Sequence, residues 1–453
     1  MLPLSWRRRI PVIEKSYSPL TARRVVITGM GAVTPLGLSV REIWPRMIEG
    51  HSGIGPITLF DASEFPTRIA GEVKGFDFNA WLERDSALQF AGRGTFFALK
   101  AAEEAFRDSH LRSFNINPDR FGIYFGAGDS GSEFIPFVEM VKSSFSNASS
   151  VNPDLVDKGL FVGHSTEKMH GRKELEMQPF MTVAHLARRF DIRGPVSNCL
   201  TACAASSQAI GEASEWIRRG DADIVMSGGA HSMVYPLGIA GFSSLTVLSS
   251  YNEDPAKASR PFDKRRDGFV LAEGAGVVLL EELQHALKRH ARIYGEIIGY
   301  GSTTDAYRLT DMDPIGVGGA RAIEMALKKA HLTADDINYI NAHGTATSVN
   351  DAIETLVIKK VLGAKAYEIP VSSIKSMIGH MIAAAGVMEV ITCLLAMKDK
   401  VIPPTINYEE PDPDCDLDYV PNLAREKEVK VALSNSFGFG GQNICLALSR
   451  YDE

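Results

Sequence analysis

Paired cysteines are missing from this chain. Its five cysteines, Cys199, Cys203, Cys393, Cys415 and Cys445, are odd in number, scattered, and form no CxxC pair. That pattern argues against a disulfide framework and against a zinc site, so no metal is expected, and it fits a reducing compartment, the cytoplasm. Long apolar runs are missing too. The longest candidate, Met377 to Met397, carries His380 and Glu389, so no membrane span is expected there. An excess of positive charge is also lacking: the formal net charge is −7, which argues against general nucleic-acid binding. No low-complexity tract is long enough to suggest disorder.

What is present describes a globular α/β protein with many tight turns: 45% apolar residues and 40 glycines in 453 residues. Such a length suits two or three average domains or one large double domain. Residues 1–22, with Arg7-Arg8-Arg9, form a tail before the first strand. They are basic like a targeting peptide, but Glu14 and the three prolines Pro3, Pro11 and Pro19 break any amphipathic helix, so a loose tail is the preferred reading. Without a signal peptide, the glycosylation sequon Asn147-Ala-Ser149 is read as accidental.

Residues 23–290 make one half and 291–453 the other. Gly29-Met-Gly31, after a strand at 24–28, lacks the third glycine of a dinucleotide fingerprint and is read as a structural turn. Residues 129–178 lose periodicity and are read as an insertion or mobile loop region. A helix from Cys203 to Arg219, stopped by Gly220, is rich in small residues. The segment after His380 is apolar nearly all round. Both helices must be buried on every side, which suggests an internal duplication and a layered α/β/α/β/α sandwich.

Chemistry concentrates in four segments. Cys203 follows Pro195-Val-Ser-Asn-Cys-Leu-Thr-Ala at a helix start, where free backbone N–H groups favour a thiolate nucleophile. A strand ends in Asn341-Ala-His343-Gly-Thr345-Ala-Thr347. Lys375-Ser-Met-Ile-Gly-His380 opens the second buried helix. Asn435-Ser-Phe-Gly-Phe439-Gly-Gly-Gln-Asn443 is a glycine-rich loop able to bring backbone N–H groups to a ligand. A lone free cysteine is usually a small buried hydrophobe, and a lone histidine usually structural. The other histidines, His51, His110, His164, His170, His185, His231, His285, His290 and His331, are read as polar or helical surface positions without a role.

Together these motifs resemble the β-ketoacyl-[acyl-carrier-protein] synthase family, the type II elongating ketosynthases of the thiolase-like superfamily, over about residues 23–450. Gly220-Asp-Ala-Asp223, Ser259-Arg-Pro-Phe-Asp-Lys-Arg-Arg-Asp-Gly-Phe269 and Val401-Ile-Pro-Pro-Thr-Ile-Asn407 extend the resemblance. It implies a duplicated thiolase-like fold and a homodimer. The implied reaction is a decarboxylative condensation of an acyl thioester with malonyl-acyl carrier protein, with no cofactor beyond the carrier's phosphopantetheine. By resemblance, Cys203 carries the acyl group, and His343 and His380 stabilise the enolate. Lys375 and Glu354 support them, Phe439 is gate and oxyanion-hole donor, and Thr345 and Thr347 meet the phosphopantetheine arm.

The resemblance also has departures. The basic helix expected after Leu82-Glu-Arg84 reads Asp85-Ser-Ala-Leu-Gln-Phe-Ala-Gly-Arg93, Thr246 replaces a docking arginine, and Thr347-Ser-Val-Asn-Asp351 lacks a proline. Arg188, Arg189, Lys264, Arg265 and Arg266 remain as candidate docking charges. Carrier identity and chain length stay open, with a specialised polyketide or lipid ketosynthase as the variant reading. A thiolase would need a second catalytic cysteine, whereas Cys445 lies in a strand-like run. A chain-initiating synthase would have asparagine at position 380. A chain-length-factor partner would lack the nucleophile.

Overall fold

The computed structural model describes residues 23–114, 116–128, 134–145 and 157–452. The 1–22 tail and the 147–149 sequon lie outside the described residues, as does part of the 129–178 region.

Ten strands frame the molecule. The first five are β1 (Val25–Val33), β2 (Phe121–Ala127), β3 (Val196–Cys199), β4 (Ile224–His231) and β5 (Gly274–Glu282). The next five are β6 (Gly295–Thr304), β7 (Tyr339–Asn341), β8 (Val371–Ser372), β9 (Val431–Gly438) and β10 (Gln442–Ser449). They hydrogen-bond in the order β8-β7-β9-β10-β6-β1-β5-β4-β2-β3. Each strand of the first half therefore has a counterpart at the equivalent place in the second. Strand senses match as well. β2 runs parallel to β3 and β4, and β5 antiparallel to β4 and β1. β7 runs parallel to β8 and β9, and β10 antiparallel to β9 and β6. Within the sheet the two halves pair through β1 and β6, at Val26–Glu296 and Ile27–Gly295.

The main helices are α1 (Arg93–Asp108), α2 (Phe180–Phe190), α3 (Ala205–Arg219), α4 (Val317–Ala330), α5 (Ser348–Leu362) and α6 (Ala385–Asp399). α1 covers β1 and β5 and packs on α2, while α4 covers β6 and β10 and packs on α5. Between the two half-sheets, α3 lies on β2 and β4 and α6 on β9, in contact with each other. The result is the duplicated α/β/α/β/α sandwich. α6 is buried from Ala385 to Met397, as its all-round apolar sequence requires, and Glu389 is its only charged residue within that run. α3 ends on Gly220 in the left-handed conformation, φ 82°, where its last carbonyls are capped by the Gly220 and Asp221 N–H groups.

Two expectations change. Gly29 and Gly31 are not in a turn; they sit inside β1. They are glycine because α1 crosses the strand there: a Cβ on Gly29 would lie 2.3 Å from the Ala105 carbonyl, and one on Gly31 2.0 Å from that of Ala101. The region 129–178 is not simply loop. Among the described residues it holds helices at Phe134–Ser143, Lys158–Lys168 and Gly171–Glu176. Its signal was weak because these helices bury few apolar side chains, so little periodicity is needed.

A methyl group on Gly31 meets a backbone oxygen that no rotamer change can move. Gly31→Ala is expected to cost about 3 kcal/mol. The check is a lower urea midpoint with an unchanged slope.

Candidate active site

β3 ends at Cys199, and the chain then turns sharply into α3 through Ala202, held at φ 47°, an uncommon conformation for a residue with a Cβ. This elbow places Cys203 at the mouth of the buried helix. The second half repeats the device: Ile382, φ 42°, leads into α6. The position matching Cys203 there is Ala383, so one half alone carries a nucleophile.

Three elements bring the two histidines to that thiol. His343 follows β7, and His380 sits just before the Ile382 elbow, bonded on both sides to the chain at Val270 and Ala272. Cys203 Sγ and one nitrogen of each ring lie within 4.8 Å of one another, all three residues buried. The rings meet edge to face, centroids 5.4 Å apart. The His380 ring also meets Phe269 edge-on at 5.0 Å.

Hydrogen bonds assign the tautomers. The Ile382 N–H donates to His380 Nδ1 at 3.2 Å, so the ring proton belongs on Nε2. That Nε2 is buried with no partner among the described residues. Lys375 Nζ lies 3.3 Å from His343 Nδ1 and 2.6 Å from the His343 carbonyl, which likewise leaves the His343 proton on Nε2. Burial, then the nearby Lys375 charge, hold both imidazoles well below the usual histidine range. Both are therefore neutral N–H donors at physiological pH.

Lys375 pairs with Glu389. Glu389 also accepts from Ser436 Oγ at 3.2 Å, and Ser436 Oγ contacts Ser207 Oγ of α3 at 2.8 Å. Sequence reasoning missed Glu389 as a site residue, although one acid in an otherwise apolar helix was a usable signal. Glu354 holds the backbone rather than a ring, accepting from the His343 and Gly344 N–H groups at 2.8 Å each. Thr345 and Thr347 share a hydroxyl contact of 2.9 Å and line the cavity of about 240 Å³ in front of the thiol. Phe439 lines it too, at the turn between β9 and β10. The backbone N–H groups of Phe439 and Cys203 both point at Sγ.

The thiol itself departs from expectation. Burial pushes Cys203 up to about 11, opposed by the Lys375 charge and by those two N–H groups. A helix start alone does not make a resting thiolate when the sulfur is withdrawn from water. As for metals, the Cys203, His343 and His380 donor atoms are a set that a metal ion could share. Among the described residues, the buried oxygens Asn341 Oδ1, Ser434 Oγ and Asn435 Oδ1 have no hydrogen-bond partner.

Comparison with known proteins decides the family. Residues 22–286 match the family described as Beta-ketoacyl synthase, N-terminal domain, and residues 294–409 match Beta-ketoacyl synthase, C-terminal domain. The chain belongs to the β-ketoacyl synthase family. It is 44% identical, over 95% of its length and 99% of the relative's, to a Synechocystis protein named 3-oxoacyl-[acyl-carrier-protein] synthase 2. A Coxiella burnetii protein of the same name is 42% identical over 94% of this chain and 99% of its own. Among solved structures, a β-ketoacyl synthase from Burkholderia phymatum superposes with a TM-score of 0.83 at 33% identity, covering 95% of this chain and 100% of the other. A type II polyketide ketosynthase, solved in complex with its acyl carrier protein, gives 0.81 at 36% identity with the same coverage.

Within this synthase, some histidines are not where the sequence suggested. His231 is 2% exposed and His185 6%, so neither is a surface residue. His185 pairs with Glu176 at 2.8 Å, while both nitrogens of His231 lack partners among the described residues. Most of the candidate docking cations are already committed: Arg188 to Asp85, Arg189 to Glu103, Arg265 to Glu409 and Arg266 to Asp412.

Glu389→Gln would leave the Lys375 ammonium buried without its counter-charge, and a loss of about 3–5 kcal/mol in denaturant unfolding is expected. Burial pushes Glu354 from 4.5 up to about 7. The folded state thus holds this proton more tightly than the unfolded chain, so the stabilising effect is complete below pH 4.5 and lost as pH rises through about 7. The melting temperature should therefore fall relative to Glu354→Gln across that window and run parallel to it above.

Proposed function

We propose that this chain is an acyltransferase of fatty acid synthesis, a 3-oxoacyl-acyl carrier protein synthase that lengthens an acyl chain by two carbons. The observation that carries the reading is the convergence of the Cys203 thiol with two neutral imidazole N–H donors in one buried cavity.

In the first step Cys203 Sγ attacks the carrier-bound acyl thioester. The acyl group moves to Sγ, and the thiol proton leaves with the carrier's thiolate. Because burial favours the neutral thiol, the proton departs as the thioester arrives, and the N–H groups of Cys203 and Phe439 take the oxyanion. In the second step malonyl-acyl carrier protein occupies the same cavity. His343 and His380 donate from Nε2 to its thioester oxygen, the carboxylate leaves as carbon dioxide, and the electron pair stays as an enolate. The enolate carbon attacks the Cys203 thioester, releasing β-ketoacyl carrier, and Sγ regains a proton. Neither a metal nor a nucleotide enters these steps. Charged imidazoles would be poorer partners here, since a proton on Nδ1 would meet the Lys375 ammonium or the Ile382 N–H.

Acyl carrier protein is the partner that delivers both substrates, through the cavity mouth beside Thr345 and Thr347. We infer a homodimer as well: β3 is an end strand of the sheet series, and Val196 and Leu200 stand 49% and 55% exposed beside it. The five unpaired thiols suit the cytoplasm. Among the described residues no helix is long and apolar enough to cross a membrane.

The test is mass spectrometry after incubation with acyl-carrier thioesters. An acyl adduct on Cys203 that disappears in Cys203→Ala is expected, and a folded protein that takes no acyl group would overturn the reading. His380→Ala should still load the acyl group, yet release carbon dioxide from malonyl carrier about 10²–10³-fold more slowly.

A further inference from the structure

His231 ends β4 with its ring buried, and neither Nδ1 nor Nε2 has a hydrogen-bond partner among the described residues. Such a ring is costly unless something else meets it. His380 Nε2 is orphaned in the same way, and in the reaction proposed above it meets the malonyl thioester oxygen.

His231 lines a second cavity of about 240 Å³, walled by Phe125, Gly126 and Gly128 of the β2 end and by Val234. Other polar side chains of that wall have partners. Arg93 and Ser232 bond to Glu273 at 2.9 and 2.8 Å, Thr95 meets Thr182 at 2.8 Å, and Glu176 meets His185 at 2.8 Å. Gly128 makes room for the imidazole, because a Cβ there would sit 2.1 Å from Nδ1.

This cavity adjoins the nucleophile. Val234 packs in the same apolar cluster as Cys203, with Ile239, Leu271 and Ile382. On the β2 side, a Cβ at Gly126 would strike the Ala205–Ser206 backbone at the start of the Cys203 helix. An alkyl chain held on Sγ starts in an apolar cluster that includes Val234, and Val234 is also a wall of the cavity holding an imidazole with two open polar atoms. Water in the cavity can satisfy them. An alkyl tail cannot, and a tail long enough to displace that water leaves both nitrogens bare.

We propose that His231 sets the upper limit of acyl chain length, its polarity rejecting alkyl tails that reach into this cavity. The proposal rests on the acyl-enzyme reading above. It is a specificity effect, distinct from the chemistry at His343 and His380.

The experiment loads saturated acyl-carrier thioesters of graded length onto Cys203 and follows rate and extent by mass spectrometry. His231→Leu and His231→Met remove the polarity, and either suffices if the other does not fold. His231→Asn keeps polarity while shrinking the side chain. The apolar variants are expected to load chains beyond the wild-type limit about ten- to a hundred-fold faster, with short chains unchanged as the check on folding. His231→Asn should keep the limit. If all three variants relax the limit, ring bulk rather than polarity sets it; if the apolar variants leave it in place, His231 does not. Either result overturns the proposal. Loading of no chain by the unmodified protein would instead remove the acyl-enzyme reading, and the proposal with it.

Discussion

The close approach of two buried helices at their starting turns is the constraint on which the rest depends. At Gly386, near the start of α6, a Cβ would lie 2.0 Å from Ser207 Oγ of α3. The Val387 N–H donates to Ser206 Oγ at 3.0 Å in the same place. Small residues let the backbones come this near, so the two elbows, Ala202 and Ile382, stand side by side between the sheets. One elbow presents Cys203. The other, two residues earlier, presents His380.

From that contact a polar chain runs through an otherwise apolar interior. Ser207 reaches Ser436, Ser436 reaches Glu389, Glu389 pairs with Lys375, and Lys375 holds His343 by its ring and its carbonyl. Each group satisfies the next, which is the condition for keeping charge in a core. The arrangement keeps a cation beside both imidazoles without leaving it unmatched. It thereby opposes their protonation and preserves them as neutral donors. The Lys375 charge also draws the Cys203 thiol toward ionisation, against the larger effect of burial. A site that must stabilise an enolate and yet hold a protonated nucleophile at rest is served by both tendencies.

The duplication explains why the site is asymmetric. Both halves supply the same strand–elbow–helix unit, and the sheet order repeats strand for strand. Only the first elbow carries a thiol; the second, with Ala383 in its place, contributes the histidine, the lysine and the acid around it. Duplicated scaffolds allow this division because each copy already aims a helix start at the same central volume.

Much of this was legible in the residues. The all-round apolar pattern of α6, the small residues of α3 and the glycine after Arg219 determined two buried helices and where α3 stops, because periodicity and capping are local. The Cys203, His343 and His380 motifs likewise stood out, since each breaks a strand or opens a helix. Other features were decided by neighbours distant in sequence. Gly29 and Gly31 are glycine because α1 crosses them, not because the chain turns. Glu389 matters because Lys375 and Ser436 fold against it. His231 is buried because Gly128, just past the end of β2, packs against its ring, and the Cys203 thiol is raised because water is excluded around it. Burial, ionisation and the match of one polar group to another are properties of the surroundings, and only the packed tertiary structure supplies those.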